Sequence, residues 1–299
     1  MKKVLVIAGP TAAGKTAFSI RLAKAFHAEI ISGDSIQVYR GLDIGSGKVT
    51  EEEMDGVVHH LLDIRDPSEN YSVSDFQKAA REVIDRNDGL SIICGGTGLY
   101  LKACLYDYEF EEEKDRDARD SELEAFDNET LWAMLKEADP VQAEKIHVNN
   151  RVRLLRSLTI LKHTGQPQSF REAQQKHEMI YDALILGCTM PRSRLHERIN
   201  LRVEKMFEAG LEQEVRGLLE KGVTFQDPGM KGIGYREWEP YFQGQCSAEE
   251  VKTAIQTHSR QFARRQYTWL NHQMPVHWFN ILDEEETEAA EQTARRWYQ

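Results

Sequence analysis

Cysteine is scarce in this chain. Cys94, Cys104, Cys188 and Cys246 are scattered, and no two of them stand at CxxC or metal-ligand spacing. That excludes a zinc framework or a disulfide scaffold as the organising element and leaves four small apolar side chains for the core. Long apolar runs are missing as well: no stretch approaches the ~18–20 residues of a membrane span. The apolar part of the N-terminal MKKVLVIAGPT is about six residues long, stops at Gly-Pro and lacks a cleavage-type ending, so it reads as a first strand and not a signal peptide. A cytoplasmic protein without membrane association is expected. There is no surplus of positive charge either. The 299 residues carry a formal net charge of −11, which argues against a general polyanion binder. Internal repeats and low-complexity linkers are also absent.

What is present is unevenly distributed. Residues 107–127 hold eleven acids and three bases, whereas residues 141–205 hold twelve Lys/Arg against six Asp/Glu. Residues 255–272 contain Arg260, Arg264 and Arg265 and no acid. An acidic protein can therefore still present a local basic surface.

Strand and helix signals alternate along the first hundred residues. VLVIAG (4–9) is a short apolar run ending in glycine, as buried parallel strands often do. A helical spacing follows from Gly14 to about His27. AEIISGD (28–34), HHLLDI (59–64) and SIICGG (91–96) read as further strands. VSDFQKAAREVIDRN (73–87) reads as a helix with Ser72 or Ser74 as its N-cap. From about 113 to 180 the pattern is helical, with LWAMLKEADP stopping at proline. YDALILGCTM (181–190) returns as a strand, SRLHERINLRVEKMFEAG (193–210) as a helix and VHWFNI (276–281) as a late strand. The acidic tail DEEETEAAEQTARRW reads as a solvated terminal helix. The expected fold is α/β: a P-loop NTPase-like parallel sheet with helices on both faces and a mostly helical insertion. The expected division is a core of 1–112 and 181–299, interrupted by an insertion of 113–180.

GPTAAGKT (9–16) fits G-x-x-x-x-G-K-[ST] at every fixed position, between a strand and a helix. Gly9 and Gly14 permit the turns that gather backbone N–H groups around an anion, and Thr11, Ala12 and Ala13 carry those groups. The helix beginning near Gly14 adds the positive end of its dipole. Lys15 supplies a point charge, and Thr16 a hydroxyl for Mg²⁺. Such a loop recognises a phosphate group and not a nucleotide as such, so a small-molecule kinase is one reading. Kinase machinery also calls for an acid at the end of a nearby strand and an arginine-rich lid. The fourth strand ends IICGGTG, without an aspartate. The second ends at Asp34, on the sheet edge where open α/β folds hold their ligands. A carboxylate there can approach Mg²⁺ or take a proton from an incoming nucleophile; the competing reading is a turn or cap residue before Ser35. Ser35 and Gln37 offer groups suited to a base edge. His59 and His60 are adjacent in a strand, point to opposite faces and are read as structural.

GPTAAGKT, GDSIQVYRGLDIG, HHLLD, YSVSDF, GGTGLY, the RVRLLRSL helix, KGIGYRE and RRQYTW occur in that order between residues 9 and 269. As an ordered set they resemble the bacterial tRNA dimethylallyltransferases, also called tRNA isopentenyltransferases. The resemblance implies that the phosphate loop holds the diphosphate of dimethylallyl diphosphate and that the acceptor is the exocyclic amine of adenosine 37 of tRNA, in the anticodon stem-loop. It implies Asp34 as proton acceptor, with Lys15 and Thr97 also in the catalytic set and Thr97 near the target base, against a competing reading of Thr97 as a helix N-cap. The base would be extruded and enter a channel through the core. The segment Asp34, Ser35, Ile36, Gln37, together with Thr97, would meet the RNA. Arg119, Arg151, Arg153, Arg156, Arg264 and Arg265 would hold it, the alternative for each arginine being a solvated helix face. Val152 stands where the family pattern has glutamine, Ala13 where serine or glycine is common, and GSGK (45–48) where Gly-Thr-Ala-Lys is usual. Trp269 is read as core, and Tyr235 as either packing or RNA contact. Mg²⁺ is the expected cofactor, and no obligate protein partner is expected. A nucleotide-dependent RNA-binding switch without catalysis is a third reading.

Overall fold

In a computed structural model of the chain, residues 1–108, 110, 121–174 and 178–299 are described. In chain order the elements are β1 (Lys3–Ala8), α1 (Lys15–Phe26), β2 (Glu29–Ser32), α2 (Glu51–Met54), β3 (His59–His60), α3 (Val73–Arg86), β4 (Ser91–Gly95) and α4 (Gly98–Leu105). There follow α5 (Ser121–Glu124), α6 (Asn128–Ala138), α7 (Pro140–Lys145), α8 (Arg151–Thr164) and α9 (Gln168–Gln174). The chain continues through β5 (Asp182–Thr189), α10 (Arg192–Glu208), α11 (Leu211–Glu220), α12 (Glu239–Phe242), α13 (Ala248–Gln273), β6 (His277–Asn280) and α14 (Glu284–Tyr298). Two compact units result: Met1–Tyr106 with Met179–Gln299, and Asp107–Glu178.

The larger unit is built on a six-stranded sheet in the order β3-β2-β4-β1-β5-β6, with every strand pairing parallel. The central strand shows why. Val4 to Ala8 are all fully buried, and their alternation divides them between two cores. Leu5 and Ile7 face a cluster with Phe18 and Leu22 of α1, while Val4, Val6 and Ala8 face one with Phe76 of α3 and Leu101 of α4. A third cluster joins Val38 and Leu42 to α10, α11 and α13 through Val203, Val215 and Ile255. Helix α3 starts at Ser72, whose side chain and that of Asp75 form a reciprocal capping box; Ser247 and Glu250 do the same for α13.

Two sequence expectations are corrected here. The third strand is two residues long, because Leu61 (φ 63°) and Asp63 (φ 53°) adopt left-handed backbone that no strand can contain. The turn presents Asp63 to Lys48 (2.5 Å). The acidic tail is packed and not simply solvated. Thr287, Ala290 and Ala294 form a buried stripe, Ala290 and Ala294 lying in the first core cluster, and Glu291 pairs with Arg21. Helix α6 stops at Ala138, ahead of Pro140 as expected, and Pro140 then opens α7 in its first turn, where proline's missing N–H costs nothing.

The smaller unit has its own core of Leu123, Leu131, Leu135, Ala143, Ile146, Leu154 and Leu158. Trp132 Nε1 donates to the carbonyls of Ala143 (3.3 Å) and Ile146 (3.2 Å), tying α6 to the end of α7. Among the described residues no helix is long and apolar enough to cross a membrane.

Candidate active site

The phosphate loop leaves β1 through Gly9, whose φ of 142° is costly for an L side chain. A Cβ at Gly9 would also lie 2.6 Å from the carbonyl oxygen of Cys188 on β5. Ala12 (φ 62°) and Gly14 (φ 86°) continue the left-handed turns, and α1 begins with no side-chain cap. Its first N–H groups therefore remain available to an anion. Two loop donors are already engaged: Thr11 N–H goes to Gln266 Oε1 (2.9 Å) and Ala13 N–H to Pro10 O (3.3 Å). Of the three residues expected to carry the anion-binding N–H groups, Thr11 and Ala13 thus have theirs engaged within the protein, since the turn must satisfy part of its own backbone. Lys15 is half-buried and its Nζ donates to Pro10 O (2.7 Å), closing the loop on itself. Enclosure by protein lowers its pKa from the ordinary lysine value. Thr16 is exposed on the first turn of α1.

Asp34 follows β2 and does two things. Its Oδ1 accepts the N–H groups of Ile36 (2.8 Å) and Gln37 (3.3 Å), forming the turn that the sequence suggested as an alternative role. Its Oδ2 has no hydrogen-bond partner among the described residues, and the residue lines a cavity of about 340 Å³. Thr11, Ser35, Ile36 and Thr97 line the same space. Thr97 occupies the N-cap position of α4, yet its side chain makes no capping bond. Gln37 is not part of this wall. Its Nε2 donates to Gly47 O (3.2 Å) and its Oε1 accepts from Ser32 Oγ (3.2 Å), so it holds the 46–47 turn and does not offer a base edge.

The cavity also contains residues that the sequence did not single out. Arg202, on α10, reaches in from the third core cluster's side and donates to Ser46 O (3.1 Å). Burial lowers its pKa, and the negative charge of Asp34 opposes that shift. One turn earlier, Arg198 Nη2 lies 3.7 Å from where a Cβ on Gly14 would stand. Arg236 lines the cavity as well, and its Nε donates to Glu237 Oε1 (3.0 Å). The side chain of Glu237 is buried and also accepts from Gly234 N–H (2.9 Å), with His258 Nδ1 at 2.7 Å. The GYRE turn is thus pinned from below by a carboxylate. No local pattern marks Arg198 or Arg202. The signal was their spacing of four on the predicted 193–210 helix, which puts both on one face.

Tyr235 turns out to be packing. It is fully buried, its hydroxyl donates to Glu214 Oε1 (2.7 Å) and accepts Ser46 N–H (3.2 Å), and burial followed by the Glu214 charge pushes its pKa up. Glu214 also receives the N–H groups of Asp43 (3.1 Å), Ile44 (2.7 Å) and Gly45 (3.1 Å), which fixes the loop ahead of GSGK. Lys48 in that motif is enclosed between Asp43 (2.6 Å) and Asp63 (2.5 Å). Trp269 packs in the second core cluster. Of the two arginines before it, both exposed, Arg265 lines the cavity and Arg264 does not.

The remaining arginines belong to the smaller unit. Arg151 donates to the carbonyls of Phe126 (2.8 Å) and Glu124 (2.7 Å) and to Asn128 Oδ1 (3.1 Å). Its guanidinium is thereby committed to the fold of that unit, which corrects its reading as an RNA contact. Arg153 and Arg156 are exposed, three apart on α8, their guanidinium groups without a hydrogen bond or ion pair among the described residues. Arg119 lies outside the described residues. Among the described residues no group of three or more His, Cys, Asp or Glu could hold a metal. Any Mg²⁺ would therefore rest on the Thr16 hydroxyl and on phosphate oxygens, with water completing its shell, a donor set that suits that ion.

Comparison with known proteins adds to this geometry. The model of a family described as IPP transferase matches residues 37–273. A tRNA dimethylallyltransferase of Bacillus cytotoxicus is 45% identical over 293 residues, covering 96% of this chain and 92% of the relative. A solved tRNA isopentenylpyrophosphate transferase of Staphylococcus epidermidis is 41% identical with a TM-score of 0.72, covering 99% of this chain and 100% of that one. A eukaryotic dimethylallyltransferase captured acting on tRNA is 30% identical with a TM-score of 0.84, covering 98% of this chain and 78% of that one. An extended match at this identity, over a phosphate loop and cavity of this form, places the protein: the chain belongs to the IPP transferase family.

Proposed function

We propose that the protein transfers the dimethylallyl group of dimethylallyl diphosphate to the exocyclic amine of adenosine 37, beside the anticodon of tRNA, and releases diphosphate. The observation that carries this reading is the carboxylate of Asp34. Backbone donors fix one of its oxygens, and the other is left for a cavity shared with Thr11, Thr97 and Arg202.

In the reaction the C1–O bond of the donor breaks as a bond forms between C1 and the adenine nitrogen. That nitrogen is a weak nucleophile because its lone pair is delocalised into the ring, so it needs placement and an acceptor for its proton. Asp34 Oδ2 takes the proton. Negative charge grows on the leaving diphosphate. The free N–H groups at the start of α1, the Lys15 ammonium, released from Pro10 O, and the Arg202 and Arg198 guanidinium groups are suited to hold it. When bound, Mg²⁺ on Thr16 would neutralise part of the same charge. The Thr97 hydroxyl, which caps nothing, is available to the base or to a diphosphate oxygen. A stacked base must first be drawn out of the loop, which costs on the order of a few kcal/mol. Exposed Arg153 and Arg156, with Arg264 and Arg265, are suited to the RNA phosphates that offset this.

Incubation with C1-labelled dimethylallyl diphosphate and unmodified tRNA should place label at adenosine 37 without any need for a nucleoside triphosphate. Turnover of a nucleoside triphosphate with the five-carbon donor left intact would overturn the proposal.

A further inference from the structure

The RRQYTW segment carries a residue whose contacts exceed what packing requires. Gln266, on α13, is 7% exposed, and both ends of its amide are engaged. Oε1 accepts Thr11 N–H (2.9 Å), and Nε2 donates to Gly96 O (3.0 Å). Thr11 belongs to the loop after β1 and Gly96 to the loop after β4, and these strands are parallel neighbours. Gly96 has no room for a side chain: a Cβ there would run into the Gln266 amide and lie 2.8 Å from Gly9 O. The adjoining Gly33 N–H donates to Cys94 O (2.8 Å), which ties the segment carrying Asp34 to the same β4 end.

We infer that Gln266 is a positioning residue that sets the separation between the diphosphate site and the wall formed by Thr97 and Asp34. The inference rests on the reaction proposed above. In that reaction the donor's leaving group is held by one loop and the attacking amine by the other two. Displacement demands near-attack contact, and a misplacement of about 1 Å can cost on the order of 10²-fold in rate. A primary amide suits this role because it presents one acceptor and one donor at a fixed spacing, matched here to one N–H and one C=O. Gln266 is placed to act through the two loops and not on the substrates themselves.

Gln266→Glu tests this with almost no change of shape. The carboxylate still accepts Thr11 N–H but turns a second oxygen toward Gly96 O. The protonated acid donates there as the amide does. Burial against a carbonyl favours the protonated form. The kcat of this variant is therefore expected to fall about 10–10²-fold below wild type near pH 8. The ratio to wild type should climb as pH falls toward about 6 and the acid gains its proton. KM for dimethylallyl diphosphate should change far less than kcat. Gln266→Asn keeps the amide on a shorter arm that spans only one loop. Its kcat should fall with no pH rescue, with its thermal midpoint recorded alongside. A Gln266→Glu ratio flat across pH, or an Asn variant that loses thermal stability while keeping wild-type kcat, would overturn the inference and leave the reaction assignment standing. Wild-type protein that labels no tRNA at any pH would overturn both.

Discussion

One carboxylate oxygen of Asp34 closes a turn and the residue lines the cavity, so on the proposed reading it has two duties that a substitution can separate. An asparagine in its place would retain an oxygen for the Ile36 and Gln37 N–H groups, so the turn that Asp34 Oδ1 now closes should persist. What it loses is the capacity to take a proton. Asp34→Asn is therefore expected to lower kcat by about 10²–10⁴-fold, with KM for tRNA little changed and the thermal midpoint near wild type. Single-turnover transfer together with a melting curve checks this. A variant that melts early, or that fails through KM alone, would reassign Asp34 to the structural duty. The place of Asp34 at the cavity was legible because it stands beside a glycine at a strand end, in a short motif. The partners around it were less so. Glu214 meets residues 43–45, and Gln266 meets Thr11, across separations of 169–171 and 255 residues. No local spacing reports such a contact, and an isolated Glu or Gln on a helix reads as ordinary surface. Gln37 misled for the opposite reason. It sits in the motif, but nearby loop carbonyls needed its donor.

At the scale of elements, strands read well where burial on both faces forces a continuous apolar run, as in β1, and helices where a capping box announces them, as at Ser72 and Ser247. The third strand failed because HHLLDI has strand-like composition while the backbone bends at Leu61 and Asp63 to satisfy Lys48. The 43–48 loop shows how such an irregular segment is held. Three of its N–H groups and the Tyr235 hydroxyl converge on Glu214, and that hydroxyl in turn receives Ser46 N–H. Tyr235→Phe removes one donor and one acceptor from this buried set. The loss of hydrogen bonding should cost about 1–3 kcal/mol. Thermal or urea unfolding should register that loss. Because Ser46 and Gly45 line the cavity, donor KM should rise as the loop loosens. An unchanged midpoint would show that the loop is held by packing and not by this network.

For the whole molecule, the connection of the two units decides what each can do alone. Tyr106 and Met179 form an antiparallel bridge, and Ile180 N–H donates to Leu105 O (2.9 Å), so the chain leaves the larger unit and returns to it at one place. Each unit also has its own buried core. Joining residue 106 to residue 179 through a short Gly/Ser linker demands little loop-closure entropy. The larger unit should then fold, because its sheet and first three core clusters are complete without residues 107–178. It also retains the phosphate loop, Asp34, Thr97 and Arg202. On the proposed reading, the shortened protein should bind dimethylallyl diphosphate with affinity near that of the full chain and transfer it to tRNA poorly, since Arg153 and Arg156 are gone. In the full chain, replacing those two arginines with alanine should weaken tRNA binding and flatten the plot of log K against log salt by roughly two units. Donor binding, followed by calorimetry, should stay constant. A shortened protein that still modifies tRNA at the full rate, or a double variant with an unaltered salt slope, would confine RNA recognition to the larger unit and return the α8 arginines to a solvated helix face.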